Sequence, residues 1–196
     1  MVEAISLARE LNDMHALAVA LFLAAILAHF ERNPAEVERL ASDLIETSTR
    51  QNFAMWLAGG KVLRGWARSA SGSTAEGLSR IEDGMDDWRA TGSMWTVPYF
   101  LALKAEALRL ADRTSEALET IKEAETLVQK SEERWCCSEL HRLKGVFLAA
   151  IGADATQIEA SFRNAISAAN DQRSISLAKR AEATYEEHRR QQTRRS

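Results

Sequence analysis

A tripeptide of the form Leu-x-small returns with a constant period of 40: Leu23-Ala24-Ala25, Leu63-Arg64-Gly65, Leu103-Lys104-Ala105 and Leu143-Lys144-Gly145. A second series, Leu44, Gly84, Ala124 and Ala165, keeps spacings of 40, 40 and 41. Trp56, Trp95 and Trp135 follow at 39 and 40. Three series in phase along 196 residues describe copies of one supersecondary unit, each burying its apolar flank against the next.

Within each copy the apolar residues fall at helical spacing, as in Leu118, Ile121, Ala124 and Val128, and no stretch alternates with period two. The periodicity predicts first helices over 14–31, 54–71, 95–112 and 135–152, with the three tryptophans opening the last three and packing between helices. Second helices are predicted over 34–50, 74–91, 114–131 and 155–171. Short breakers separate them: Asn33-Pro34, Ser71-Gly72-Ser73, Asp112-Arg113-Thr114 and Gly152-Ala153-Asp154. Asn33 suits an N-cap and Pro34 the first helical turn. Ser73 or Thr74 before Glu76, and Thr114 or Ser115 before Glu116, are expected to cap their helices. Glycine inside a helix costs about 1 kcal/mol against alanine, so Gly65 and Gly145 imply close helix approach. Leu23, Leu63, Leu103 and Leu143 are expected to fill the hairpin cores.

The repeat resembles the tetratricopeptide repeat, with Gly65, Gly77 and Gly84, and then Ala105, Ala117 and Ala124, at that family's three small positions. The fourth unit departs at Ile158 and the first at Val37 and Leu44. The length of the unit also overlaps HEAT-type pairs, which stand as the structural alternative. The expected fold is all-α: an α-solenoid, a right-handed superhelix of about four tetratricopeptide-like hairpins plus a capping helix. It forms a single domain over 1–196, with a partial hairpin over 1–12, repeats over 14–52, 53–92, 93–132 and 133–172, a cap over 173–191 and a tail over 192–196. Ala4 lies one full period before Leu44, on a second helix without its own first helix. The chain is therefore expected to be the C-terminal part of a longer array, and its unpaired N-terminal helix offers a route to a homodimer.

A second resemblance covers residues 93–190. Arg134–Gly145, RWCCSELHRLKG, followed by Ile158–Phe162 and Ser174–Ala178, is similar to the C-terminal repeat tail of bacterial multidomain cyclase/ATPase signalling proteins. It implies a regulatory or assembly tail and transfers no catalytic residue. The chain is therefore expected to be a non-enzymatic protein-interaction module in signal transduction.

Second helices carry an excess of acid and first helices a slight excess of base. In tetratricopeptide arrays the first helices line the concave face, which implies a basic groove with Lys61, Arg64, Lys104, Arg109, Arg142 and Lys144 facing it and Trp66 and Tyr99 as aromatic anchors. Such a groove suits an acidic peptide, a terminal carboxylate or a neighbouring domain. The alternative is a small-molecule sensor with its ligand near Trp66, Tyr99 and Arg109; the plain structural account leaves these as ordinary helix charges with Trp66 in the core.

Other functions find less in the residues. Net charge is -3, giving no general attraction to nucleic acid, although Arg189-Arg190 and Arg194-Arg195 end the chain. The apolar run Ala16–Ala28 falls well short of the roughly 20 residues a membrane span needs. Glu3 stands where a signal peptide would be basic, and the adjacent Cys136 and Cys137 make a poor disulfide framework, so a cytoplasmic location is expected. Cys137 and His141, four apart on a helix, supply two metal ligands where a structural site needs more. No cofactor or metal is expected.

Overall fold

The computed structural model describes residues 1–194, and these form ten helices and no strand. They are α1 (Val2–Glu10), α2 (Met14–Phe30), α3 (Pro34–Gln51), α4 (Ala54–Ala70), α5 (Thr74–Ala90), α6 (Val97–Leu110), α7 (Thr114–Ser131), α8 (Cys137–Ala150), α9 (Ala155–Asp171) and α10 (Ile175–Thr193). Successive helices pack as antiparallel pairs, a helical-hairpin repeat in which α2, α4, α6 and α8 are the first helices and α3, α5, α7 and α9 the second. The chain divides into two compact units, Met1–Met94 and Trp95–Ser196. Arg195, half of the basic pair ending the sequence, and Ser196 lie outside the described residues. No described helix is long and apolar enough to cross a membrane.

A left-handed residue closes each of α1 to α9 at nearly constant pitch: Asn12, Arg32, Asn52, Gly72, Gly92, Asp112, Glu132, Gly152 and Arg173 all have positive φ. A left-handed residue just past a helix end returns the chain's N–H groups to the last open carbonyls. The bonds from the Asn33 N–H to the Ala28 carbonyl, Phe53 to Ser48 and Arg113 to Leu108 are of this kind. At the other ends Asn33 caps α3 by accepting from the Glu36 N–H at 3.1 Å, with Pro34 in the first turn. Asp13 and Asp154 cap α2 and α9 in the same way. The expected hydroxyl caps do not form. Ser73 makes no side-chain cap bond, and at α7 the N-cap is Arg113, whose guanidinium reaches Glu116 at 2.6 Å instead.

In the first unit the Phe22 ring lies 5.4 Å from Trp56 and stacks 5.9 Å from Trp88, while Trp56 Nε1 donates to His15 Nε2 at 3.2 Å. The small residues serve the α4–α5 contact. A Cβ on Gly65 would stand 2.7 Å from the Gly77 carbonyl oxygen and 2.9 Å from the Ile81 nitrogen, and one on Gly84 would stand 2.9 Å from the Val62 nitrogen. In the second unit Gly145 makes room for a side chain: its Cβ would meet the Phe162 ring at 2.8 Å. Leu63, Leu103 and Leu143 are buried as expected, but Leu23 is 39% exposed. Trp95 is also a correction, being 44% exposed. The third first helix begins at Val97, two residues late, and Trp95 belongs to the preceding turn, where Thr96 takes φ 68°.

Candidate functional site

Helix α8 carries the residues of the Trp135–Gly145 signature and sends them to two opposite environments. Glu139 and Arg142, three apart, point inward and are 1% and 2% exposed. Arg142 Nη2 donates to Glu139 Oε1 at 2.6 Å and its Nε to Oε2 at 2.9 Å. Arg180 of α10 donates to the same carboxylate from Nε and Nη2, each at 3.1 Å, and Glu106 of α6 stands 3.4 Å from Arg142. Burial opposes ionisation of Glu139, but the two guanidiniums outweigh it and hold the carboxyl far below the ordinary glutamate range. The cluster therefore stays charged, with both guanidiniums centred on one carboxylate, and it joins α8 to α10. Tyr99 lies in the same interior, its ring 5.0 Å from Trp135, and burial with the nearby Glu106 and Glu139 charges pushes its hydroxyl well above its usual value.

The Glu133–Trp135 turn leading into the signature is tied as well. The Glu133 carboxylate accepts from the Thr96 backbone N–H at 2.9 Å and from Trp135 Nε1 at 2.7 Å. A carboxylate thus sits at the N-terminus of α6, where the helix dipole favours it.

On the other side of α8, His141 and Lys144 turn toward α7 and converge on Glu125. Lys144 Nζ donates to both Glu125 oxygens at 2.8 and 3.0 Å, and His141 Nδ1 lies 3.4 Å from Oε1. Burial again opposes ionisation, and the bonds from His141 and Lys144 prevail, so Glu125 titrates below its ordinary value. These groups border an open depression of about 700 Å³ walled by α7 and α9, with Arg134 and Cys137 at one end and apolar surface from Val128, Leu140 and Ala168. Lys144 also borders a second depression of about 580 Å³, running on past Leu148 and Ile151. Burial pushes the Cys137 thiol up and the Cys136 thiol up further, away from the thiolate that redox or metal chemistry needs.

The other residues expected to share a groove are dispersed. In the first unit Lys61 pairs with Asp87 of α5 at 2.6 Å, and Arg64 is half-buried, drawn below its usual value by burial and by Arg80. Trp66 is an interior side chain, its ring edge-on to His29 at 4.5 Å. In the second unit Lys104 is half-buried and Arg109 pairs with Asp112 at 3.5 Å. Trp66, Tyr99 and Arg142 are thus corrections to the expected surface: all three are buried. Lys61 and Lys144 differ from expectation in direction, because acid concentrated on the second helices draws first-helix cations to it; Arg68 does the same with Glu38 of α3 at 2.9 Å. Of the residues named for the small-molecule alternative, Tyr99 and Arg109 lie ten positions, about 15 Å, apart along α6.

Five participants escaped the sequence reasoning as partners in these clusters: Glu106, Glu125, Glu133, Glu139 and Arg180. Glu139 and Arg142 at i, i+3 amid apolar neighbours, with Arg180 about one repeat period after Glu139, held the available signal.

No protein-family model matches the chain. It is similar to an uncharacterized protein of Rhizobium meliloti (strain 1021), 23% identical over 173 residues, which is 88% of this chain. The matched stretch is 17% of that protein's length, so the chain spans about a sixth of this curated relative.

Proposed function

We propose that the chain is a non-catalytic interaction and regulatory module of a larger bacterial signalling protein, holding a peptide or a neighbouring domain in the depression over α8. The observation that carries this is the partly apolar depression of about 700 Å³ edged by Arg134, His141 and Lys144, with the acids Glu125 and Asp171 beside them. The rigid α7–α8–α9 frame limits the ordering cost of binding. Glu125 occupying Lys144 and His141 indicates the chemistry the edge accepts, a carboxylate. The resemblance of Trp135–Gly145 to signalling-protein tails and the much greater length of the Rhizobium relative support a place within a longer chain.

Fluorescence anisotropy against a panel of labelled acidic and neutral peptides tests the proposal. An acidic peptide is expected to bind, with affinity falling about tenfold, or 1.4 kcal/mol, in Lys144→Gln and unchanged in Lys61→Gln. Equal affinity in both variants, or no binding by any acidic peptide, removes it.

A further inference from the structure

One face of the first helices is buried in three copies and open in the fourth. On α4 the stripe Trp56, Gly59, Leu63 and Ala67 is buried; so are Thr96, Tyr99, Leu103 and Ala107 at the start of and along α6, and Cys136, Glu139, Leu143 and Phe147 on α8. The same positions on α2 are Ala16, Val19, Leu23 and Leu27. Ala16 and Val19 are half-buried, Leu23 is 39% exposed and Leu27 47% exposed. All four are apolar, which an ordinary solvent-facing stripe of a helix is not.

The covered copy in the same unit shows what lies against this face. Trp56 meets His15 and Phe22 of α2, and a Cβ on Gly59 would touch the Phe22 ring at 2.8 Å. The α4 stripe is therefore the surface that receives the preceding first helix. In α2 the neighbours α1, α3 and α4 leave the equivalent surface open at Leu23 and Leu27. Helix α10 is finished differently: it buries Leu177, Ala178 and Ala181 and exposes Lys179, Glu182, Glu186 and Glu187. A polar outer face is how a helical array is closed, and the α2 face has none.

We propose that the Ala16–Val19–Leu23–Leu27 stripe is a docking surface for a first-type helix of a further hairpin of this same repeat, continuing the α2–α4 interface by one step. The register also sets the partner's chemistry. Val19 stands where α4 has Gly59, so the ring-sized pocket that receives Phe22 is filled, and the docking helix carries a small or branched aliphatic residue at the Phe22 register. This surface lies on the first unit and stands independently of the depression over α8.

The chain's own residues 54–80, placed directly ahead of Met1, restore the repeat period and present Val62 at the required register. The probe is Leu23→Cys, whose maleimide labelling is followed in the unextended and the extended chain. The extension is expected to slow labelling at least tenfold and to raise the unfolding midpoint by about 5 °C. A Val62→Trp substitution within the added segment is expected to abolish both effects, because it would drive a large ring against Val19. Unchanged labelling on extension overturns the proposal. So does protection of Leu23→Cys in the unextended chain that grows with concentration alongside a dimer in sedimentation, which would make a second copy the occupant.

Discussion

Gly65 and Gly145 occupy the same position in two repeats but meet different obstacles. Opposite Gly65 is backbone, the Gly77 carbonyl and the Ile81 nitrogen, which can move only by separating α4 from α5. Opposite Gly145 is the buried Phe162 ring, a side chain stacked on Tyr185, which can shift without separating the helix backbones. Gly65→Ala is expected to destabilise by about 1–3 kcal/mol, the usual range for overpacking. Gly145→Ala is expected to cost less than Gly65→Ala, because the gain of about 1 kcal/mol in helix propensity is set against a side-chain shift and not a backbone separation. Urea unfolding of the two variants checks the contrast, and equal losses would contradict it. The sequence marked both glycines as packing positions. Whether backbone or a side chain opposes each one depends on Gly77 and Phe162, which belong to the following helices.

Helix α8 shows where sequence reasoning stops. Although it begins at Cys137, two residues after the Trp135 expected to open it, its existence and approximate span followed from apolar periodicity and breakers. The destinations of its charges did not, because Glu139, His141, Arg142 and Lys144 crowd into one turn and a half and local spacing leaves their partners unnamed. Glu125 and Arg180, on α7 and α10, decide which charge goes to which side. The resemblance to tetratricopeptide arrays implied a common basic surface, whereas electrostatic attraction to acidic second helices turned Lys61 and Lys144 aside. Since two guanidiniums depend on Glu139, its removal leaves uncompensated buried charge. Glu139→Ala is expected to cost about 3–5 kcal/mol and to release α10 from α8. Hydrogen exchange reads this as faster exchange of α10 amides than of α7 amides; uniform acceleration would contradict a local latch.

For the molecule as a whole, the same carboxylates set the response to acid. Glu139 and Glu125 titrate in the folded state below the ordinary 4.5. Their contribution is therefore complete above pH 4.5 and is lost as pH falls through their folded-state values. Unfolding free energy is expected to be level between pH 7 and 5.5 and to decline below 4.5. Glu139→Gln should lower the curve throughout and flatten its acidic part, since it removes one of the two carboxylates held below the ordinary value. A wild-type decline beginning above pH 5.5 would point to other groups.

The left-handed joints at Asn12, Arg32, Asn52 and onward by twenties have one more consequence. Within each unit helix directions alternate, so loss or gain of a single helix with its joint would exchange the roles of first and second helix in every later segment of that unit, pairing the wrong faces. A change of two helices together preserves both the direction and the identity of each face. The joints therefore quantise the chain: it can be lengthened or shortened by whole hairpins. The single extra residue before Ala165, absorbed in the turn between Gly152 and α9, is the small departure the register tolerates at its polar end.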